Sequence, residues 1–161
     1  ATLPRSKVRG KVTDAQIIDM APMAGAGIEV HAKWPDLVPT IRATFDRLYK
    51  PGALAPGHGH NFILYSSETK EGGKLLIGVL DRQPGGADPD VKPAHVPGGR
   101  VITAPHWGDY GKMRETYDAL HAEVAERGLR RIWMSLEVYG DWSDDPAKVR
   151  TDLSLYLAIA I

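Results

Sequence analysis

The sequence predicts an α+β fold in which two strand–helix–strand–strand modules, related by a pseudo-two-fold axis, form one antiparallel sheet. Two observations predict it. The same order of elements occurs twice along the chain, and short motifs recur in the same order after about seventy residues. We expect both helices on one face of this sheet and a ligand groove on the other face.

Three pairs of short segments carry the repeat. Trp-Pro-Asp at 34–36 matches Trp-Gly-Asp at 107–109, and Thr-Phe-Asp-Arg-Leu at 44–48 matches Thr-Tyr-Asp-Ala-Leu at 116–120. The strand that ends at Tyr65 matches the strand that ends at Tyr139. An axis between two such copies would bring Trp34 close to Trp107, and Tyr65 close to Tyr139, across the groove.

The chain is expected to form a single domain that spans residues 1–161. Module one occupies about residues 15–82 of this domain. Strand patterns cover 15–20 and 27–31, with a break between them. A helix follows, and its apolar stripe consists of Leu37, Ile41, Phe45 and Leu48. Two further strands, 61–65 and 74–80, are joined by a hairpin with Gly72 and Gly73 at its turn.

A connector at 83–99 separates the modules. It holds four prolines and four glycines, so no packed element is expected there. Module two, about 100–161, begins with a strand at 100–104 and continues with a helix that ends near Arg127, where Gly128 suits a C-cap. Strand patterns at 131–139 and 149–160 complete it.

Composition excludes several classes of function. Lys+Arg and Asp+Glu each number 20, which disfavours a nucleic-acid surface because phosphates require a basic excess. The chain has no cysteine, which excludes disulfides, thiol catalysis and cysteine-ligated metal centres. No apolar run reaches membrane-spanning length, and no signal-peptide core is present. We therefore expect a cytoplasmic protein that does not contact membranes.

The strand at 131–139 carries the candidate site. In a regular strand Trp133, Ser135, Glu137 and Tyr139 share one face, and the opposite face is wholly apolar. A carboxylate among aromatic rings is costly unless a cation or hydrogen-bond donor meets it. The face is therefore either the floor of a ligand pocket or a solvated sheet face with an ordinary surface Glu. Ile63 matches Glu137 in the repeat, so one module alone supplies the acid.

Four motifs of module two resemble those of the GyrI-like family, the effector-binding domains found alone or fused to AraC- and MerR-type regulators. They are His-Trp-Gly-Asp-Tyr at 106–110, Tyr-Asp-Ala-Leu at 117–120, Glu-Val-Tyr at 137–139 and Thr-Asp-Leu at 151–153. In module one, 34–36 lacks the family's glycine. The resemblance implies a central Glu that meets cationic or polar ligands between aromatics; by position this is Glu137, near Tyr139, Trp107 and Tyr110.

The favoured function is that of a stand-alone domain that binds a small hydrophobic molecule. This molecule is expected to be either a cation or a polar aromatic compound. The candidate binding residues are Glu137, Tyr139, Trp107, Tyr110, Trp34, Tyr65 and Trp133. Trp142, in the following loop, is interpreted as a pocket lid or a contact to a partner chain. Fusion to, or cooperation with, a transcription regulator is the expected partnership.

Three alternatives remain. By resemblance, some GyrI-like proteins hydrolyse strained electrophilic toxins of the cyclopropanoid type; here Glu137 would act as general acid or base beside Tyr139. A protein-partner role, such as gyrase inhibition, would need an exposed acidic or apolar patch that the sequence does not show. Metal binding at His58 and His60 lacks a third ligand, so neither a metal nor a cofactor is expected.

Overall fold

The computed structural model describes residues 15–159, which contain eight strands and two α-helices. The strands are β1 (Gln16–Met20), β2 (Met23–Lys33), β3 (Asn61–Glu68), β4 (Gly72–Leu80), β5 (Lys92–Val96), β6 (Gly99–Trp107), β7 (Arg131–Tyr139) and β8 (Arg150–Leu157), and the helices are α1 (Leu37–Leu48) and α2 (Met113–Glu126). The predicted α+β class is confirmed.

All eight strands form one antiparallel sheet with the order β1-β6-β8-β7-β3-β4-β2-β5. The central pair is β3 and β7, one from each module, and the order of the neighbouring strands is the same on either side of it. Ile63 pairs directly with Glu137 across this centre. The pseudo-two-fold axis therefore passes between the two positions that the repeat had matched.

Strand β5, which lies in the predicted connector, is the counterpart of β1, and each of the two pairs away from the strand that follows it. β1 precedes β2 in the chain but pairs with β6, whereas β5 precedes β6 but pairs with β2. Residues 21–22 alone join β1 to β2, and residues 97–98 alone join β5 to β6. Such short links join strands from opposite ends of the sheet, so the sheet must curl until its two ends meet.

Strand β5 corrects the prediction that the connector 83–99 contains no packed element. Ala94 and Val96 are buried there, and Pro93 is tolerated because β5 is an edge strand that pairs on one side only. The remainder of the connector is held by Arg47, whose guanidinium donates hydrogen bonds to Asp88 and Asp90. The predicted break between the first two strands is confined to residues 21–22, since β2 is continuous from Met23.

Both helices cover one face of the sheet, as predicted. On that face α1 packs Leu48 against Ile63 and its neighbours, and α2 packs Leu120 against Leu153 and its neighbours. The opposite face is the inner surface of the curl. There Phe62, Leu64, Leu136, Val101 and Tyr156 pack together with residues of β5 and form a third core cluster.

The structure corrects the predicted side of the groove. Ile63, Glu137 and Leu153 are cross-strand neighbours, so their side chains share one face, and Ile63 and Leu153 belong to the two clusters under the helices. Glu137 therefore points to the helix-bearing face. The groove lies between α1 and α2, because the other face is filled by apolar side chains.

Candidate functional site

Glu137 is buried on the central strand β7, with 4 % of its surface exposed. Its carboxylate accepts two hydrogen bonds. The Tyr117 hydroxyl donates to Oε2 at 2.6 Å, and the Tyr139 hydroxyl donates to Oε1 at 2.5 Å. Within residues 15–159, no basic side chain forms an ion pair with it. Within the described part of the chain, the acid is thus held by neutral donors without a counter-charge.

Two elements place these donors. Tyr139 lies two residues beyond Glu137 on β7, where the strand period returns its ring to the same face. Tyr117 lies in the second turn of α2, which packs across β6 and β8 through Met113 and Leu120. Strand and helix therefore converge on one carboxylate from two directions.

Burial raises the pKa of Glu137, and the hydrogen bonds from Tyr117 and Tyr139 oppose that rise. Burial also raises the pKa of Tyr117, Tyr139 and Tyr65, and the neighbouring Glu137 raises them further. All three phenols are therefore neutral over the physiological range. Of these four groups, the Glu137 carboxyl is the one that can carry a charge in that range.

A cavity of about 910 Å³, here called the aromatic cavity, opens beside Glu137 between the helices. One wall is formed by helix α1 and the residue that follows it, through the side chains of Leu37, Val38, Ile41, Phe45 and Tyr49. The other side is formed by Tyr65, Tyr110, Met113, Glu137, Tyr139 and Trp142. The cavity is large enough for a drug-sized molecule, and its walls are mainly apolar and aromatic. Its titratable lining consists of the buried Glu137, the tyrosines, and Arg42, Asp46, His60 and Asp141.

A second cavity of about 250 Å³, here called the polar cavity, adjoins the first. Both cavities are lined by Leu37, Tyr65 and Glu137. The remaining wall of the polar cavity consists of Glu68, Tyr117, His121, Arg131, Ser135 and Leu155. Glu137 therefore lies where an apolar compartment meets a polar one.

A turn after β6 presents Tyr110 to the aromatic cavity. His106 is buried, and its Nε2 lies 2.8 Å from the carbonyl of Asp109, so Nε2 must carry the proton and donate. Its Nδ1 lies within hydrogen-bond distance of the Thr116 hydroxyl, at 2.7 Å. These bonds fix the turn against α2, and the Tyr110 ring meets Tyr139 edge-on at 5.5 Å.

The structure brings together four of the predicted residues: Glu137, Tyr139, Tyr65 and Tyr110 line the aromatic cavity. Three predicted residues lie outside both cavities, which corrects their expected placement. Trp34 donates its indole hydrogen bond to the carbonyl of Thr69 and packs over the hairpin at Gly73. Trp107 is 53 % exposed and stacks with Arg150.

Trp133 is the third, and a bulge is the reason. The pairing of β7 with β8 shifts between Arg131 and Ser135, where four steps along β7 match two steps along β8. The extra residues break the alternation and turn Trp133 into solvent, where it is 68 % exposed. Its ring stacks with the guanidinium of Arg131, at 5.2 Å from the ring centroid.

Sequence reasoning missed Tyr117 as a site residue, because its place in the apolar stripe of a helix indicated core packing. A signal was nevertheless present: Tyr117 matches Phe45 in the repeat, and the copies differ by one hydroxyl. Trp142 is 72 % exposed and lines the aromatic cavity, and its ring centroid lies 6.5 Å from that of Tyr110. That position fits a lid, one of its two sequence interpretations.

For residues 15–159, no cluster of three or more metal-ligating side chains is present. The Nε2 atom of His60 lies 3.2 Å from Oδ1 of Asp141. None of the helices in that range combines the length and apolar character needed to cross a membrane.

Neither a protein-family model nor a curated protein matches this chain. Solved structures do. SAV2435 bound to tetraphenylphosphonium superimposes with a TM-score of 0.64 at 14% identity, covering 90% of this chain and 94% of that one. The EcmrR C-terminal domain superimposes with a TM-score of 0.65 at 19% identity, and the match covers 91% of this chain and 98% of that one. A hydrolase from Listeria innocua gives 0.55 at 15% identity, covering 96% of both chains.

These similarities extend over almost the whole chain. At such low sequence identities they establish a shared fold and nothing further. The curled sheet of two modules, with paired helices on one face, is the fold that this chain shares with these solved structures, as the resemblance to the GyrI-like family predicted. The fold class that the motifs suggested is thereby confirmed.

Proposed function

We propose that this protein binds a hydrophobic organic cation in the aromatic cavity, with Glu137 as its counter-charge. The observation that carries the proposal is a carboxyl that is 4 % exposed, unpaired with any basic side chain of residues 15–159, and set in the wall of an aromatic cavity. A buried acid in such surroundings costs stability, and a ligand cation would offset that cost.

The rings add to the attraction. A cation near the faces of Tyr65, Tyr110 and Tyr139 gains about 0.5–2 kcal/mol from each well-placed ring. The apolar wall of α1 would bury the organic part of the same ligand. One fold neighbour, SAV2435, is bound to tetraphenylphosphonium, a large aromatic cation that this cavity could hold by volume.

Calorimetric titration with tetraphenylphosphonium tests the proposal. We expect saturable binding to the wild-type protein and a loss of at least about tenfold in affinity for Glu137→Gln, because a hydrogen-bonded charge contributes roughly 1.5–3 kcal/mol. Neutral triphenylphosphine oxide should not distinguish the two proteins.

Glu29→Gln is the matched control, since Glu29 pairs with Lys74 on the surface, away from both cavities. It should bind tetraphenylphosphonium as the wild type does. Equal affinity of wild type and Glu137→Gln for the cation would overturn the proposal.

A hydrolase acting on strained electrophiles is the second candidate. Burial raises the pKa of the Glu137 carboxyl, which suits a general acid or base, and two tyrosine hydroxyls orient it. A hydrolase from Listeria innocua is among the fold neighbours. Incubation with a cyclopropane-bearing electrophile and product analysis would decide: product that is lost with Glu137→Gln supports turnover, whereas binding without product excludes it for that substrate.

Coupling to a transcription regulator belongs to the same proposal. The EcmrR–DNA complex contains this fold as part of a longer chain, of which the match covers 57%. We infer that ligand occupancy here can serve as a signal to a DNA-binding partner. Co-purification that changes on addition of tetraphenylphosphonium would support this role, and an unchanged set of partners would argue against it.

A further inference from the structure

The polar cavity lies outside the proposed cation site yet shares Leu37, Tyr65 and Glu137 with it. A ligand in the aromatic cavity therefore has a neighbouring compartment within reach past Glu137. The chemistry of that second compartment determines which ligands could use both.

Arg131 lines this compartment and has no acidic partner among residues 15–159. Its Nε is buried and has no hydrogen-bond partner in that range. Buried donors are nearly always satisfied, so an unsatisfied charged one calls for an acceptor. Trp133 stacks on the guanidinium and limits where it can point.

The rest of the wall adds donors. Burial, followed by the charge of Arg131, lowers the pKa of His121, so this ring is neutral at physiological pH and keeps one N–H to donate; Asp118 and Glu68 oppose that shift. Ser135 supplies a buried hydroxyl. Glu68 is the second carboxylate of this wall besides Glu137, and both would repel an anion placed near them, so the anion must lie on the Arg131 side.

We propose that the polar cavity binds a carboxylate, or a comparable anionic group, at the end of a ligand whose cationic aromatic part occupies the aromatic cavity. Arg131 is the anchoring residue, and Trp133 is a positioning residue that acts through Arg131. This inference rests on the proposed function and narrows its ligand class to amphipathic zwitterions.

A pair of phosphonium probes tests it. (4-Carboxybutyl)triphenylphosphonium carries a carboxylate at the end of its chain, and pentyltriphenylphosphonium is its uncharged-chain counterpart. We expect the wild-type protein to bind the carboxylate probe about tenfold more tightly at neutral pH, as one charge-assisted hydrogen bond would give. Arg131→Met should abolish that preference and leave the affinity for the pentyl probe within about twofold.

Arg150→Met is the matched control, because Arg150 also stacks on a tryptophan, Trp107, but lies outside both cavities. It should keep the preference, and Trp133→Leu should reduce it without affecting the pentyl probe. If both probes bind equally and Arg131→Met changes neither, the polar cavity is not an anion subsite, while the cation site stands. If neither probe binds the wild type, the proposed function fails and the inference fails with it.

Discussion

Two opposing influences act on the charge of the Glu137 carboxyl. Burial raises its pKa, whereas the hydroxyls of Tyr117 and Tyr139 stabilise the anion by hydrogen bonding. Because no basic side chain of residues 15–159 pairs with it, the ionised acid costs the folded protein stability. On the proposed function, a bound cation would offset that cost.

The pH dependence of stability should expose this cost. The pKa of Glu137 in the folded state lies above its ordinary value of 4.5, so between those two values the folded state holds a proton that the unfolded state has released. The contribution of Glu137 to the free energy of unfolding therefore falls as pH rises through that window. Above the window, the ionised carboxyl destabilises the folded state by its full amount. Relative to the wild type, Glu137→Gln should gain stability as pH rises.

Urea denaturation of the ligand-free protein from about pH 4.5 to pH 8 measures this difference. Glu29→Gln, at an exposed surface pair with Lys74, should show no comparable trend. A stability difference between Glu137→Gln and the wild type that stays constant with pH would mean that the buried carboxyl does not change its protonation in this window.

Residue-scale prediction from sequence worked where regular strand alternation holds. Glu137 and Tyr139 lie two residues apart on an undistorted part of β7, and both reach the cavity. It failed for Trp133, where a bulge breaks the period, and for Trp34 and Trp107, which lie at strand ends where the chain turns away. A bulge depends on how the partner strand pairs, which local sequence does not reveal.

At the scale of elements, both helices were predictable because their apolar residues recur at helical spacing. The side of the groove was not. The apolar face of β7 was expected to lie under the helices, but in the structure it packs inside the curl of the sheet, with Leu136 in the third core cluster. Alternation along a strand separates two faces without showing what covers each.

Strand β5 escaped prediction for a related reason. Its five residues include a proline and two exposed polar side chains, so its pattern resembles a loop. Pairing with β2 at the edge of the sheet gives it order, and Ala94 and Val96 gain burial from the curl. Its strand character comes from tertiary contacts rather than from local propensity.

The two short links offer an element-scale test at Gly98. A Cβ at this position would lie 2.7 Å from the carbonyl oxygen of Met20 and 2.8 Å from the backbone nitrogen of Pro22, so the links at 97–98 and 21–22 touch through backbone atoms. Gly98→Ala should therefore lose about 1–3 kcal/mol of unfolding free energy through overpacking.

Chemical denaturation compares it with Gly111→Ala. A Cβ at position 111 would lie 3.6 Å or more from its nearest neighbouring atoms, so no such loss is expected. Equal stabilities of the two variants would show that the links can move apart without cost. The sheet could then uncurl locally without disturbing its core.

At the scale of the whole molecule, the exchange of β1 and β5 between the modules ties the two halves together. Each module lends a strand to the edge of the other, and the inner core cluster draws residues from both. The internal repeat was visible in the sequence, but this exchange was not, because matching motifs identify copies and leave their pairing open.

The copies differ at the centre in two coupled positions. Glu137 faces Ile63 across the axis, and Tyr117, which donates to Glu137, matches Phe45 in the first module. The burial of the helices supports this match, since Thr44 and Leu48 are buried in α1 as Thr116 and Leu120 are in α2. Tyr65 corresponds to Tyr139, so the first module lacks the acid and one hydroxyl.

This near-symmetry predicts that the acid can be moved between modules. In a protein with Ile63→Glu and Glu137→Ile, Tyr65 would supply one hydroxyl and Phe45 none, so we expect affinity for tetraphenylphosphonium to fall about tenfold or more below the wild type. Adding Phe45→Tyr should recover part of that loss by restoring the second donor. Calorimetric titration of the double and triple variants measures both steps.

Phe45→Tyr alone, in a protein that keeps Glu137, separates a restored donor from a general gain in polarity, and it should change affinity by no more than about twofold. Thermal unfolding shows whether each variant is folded. If the double variant binds as the wild type does, a second hydroxyl is unnecessary. If the triple variant is folded but regains nothing, the donor must come from α2, and the two-fold relation would describe the backbone without extending to the chemistry of the site.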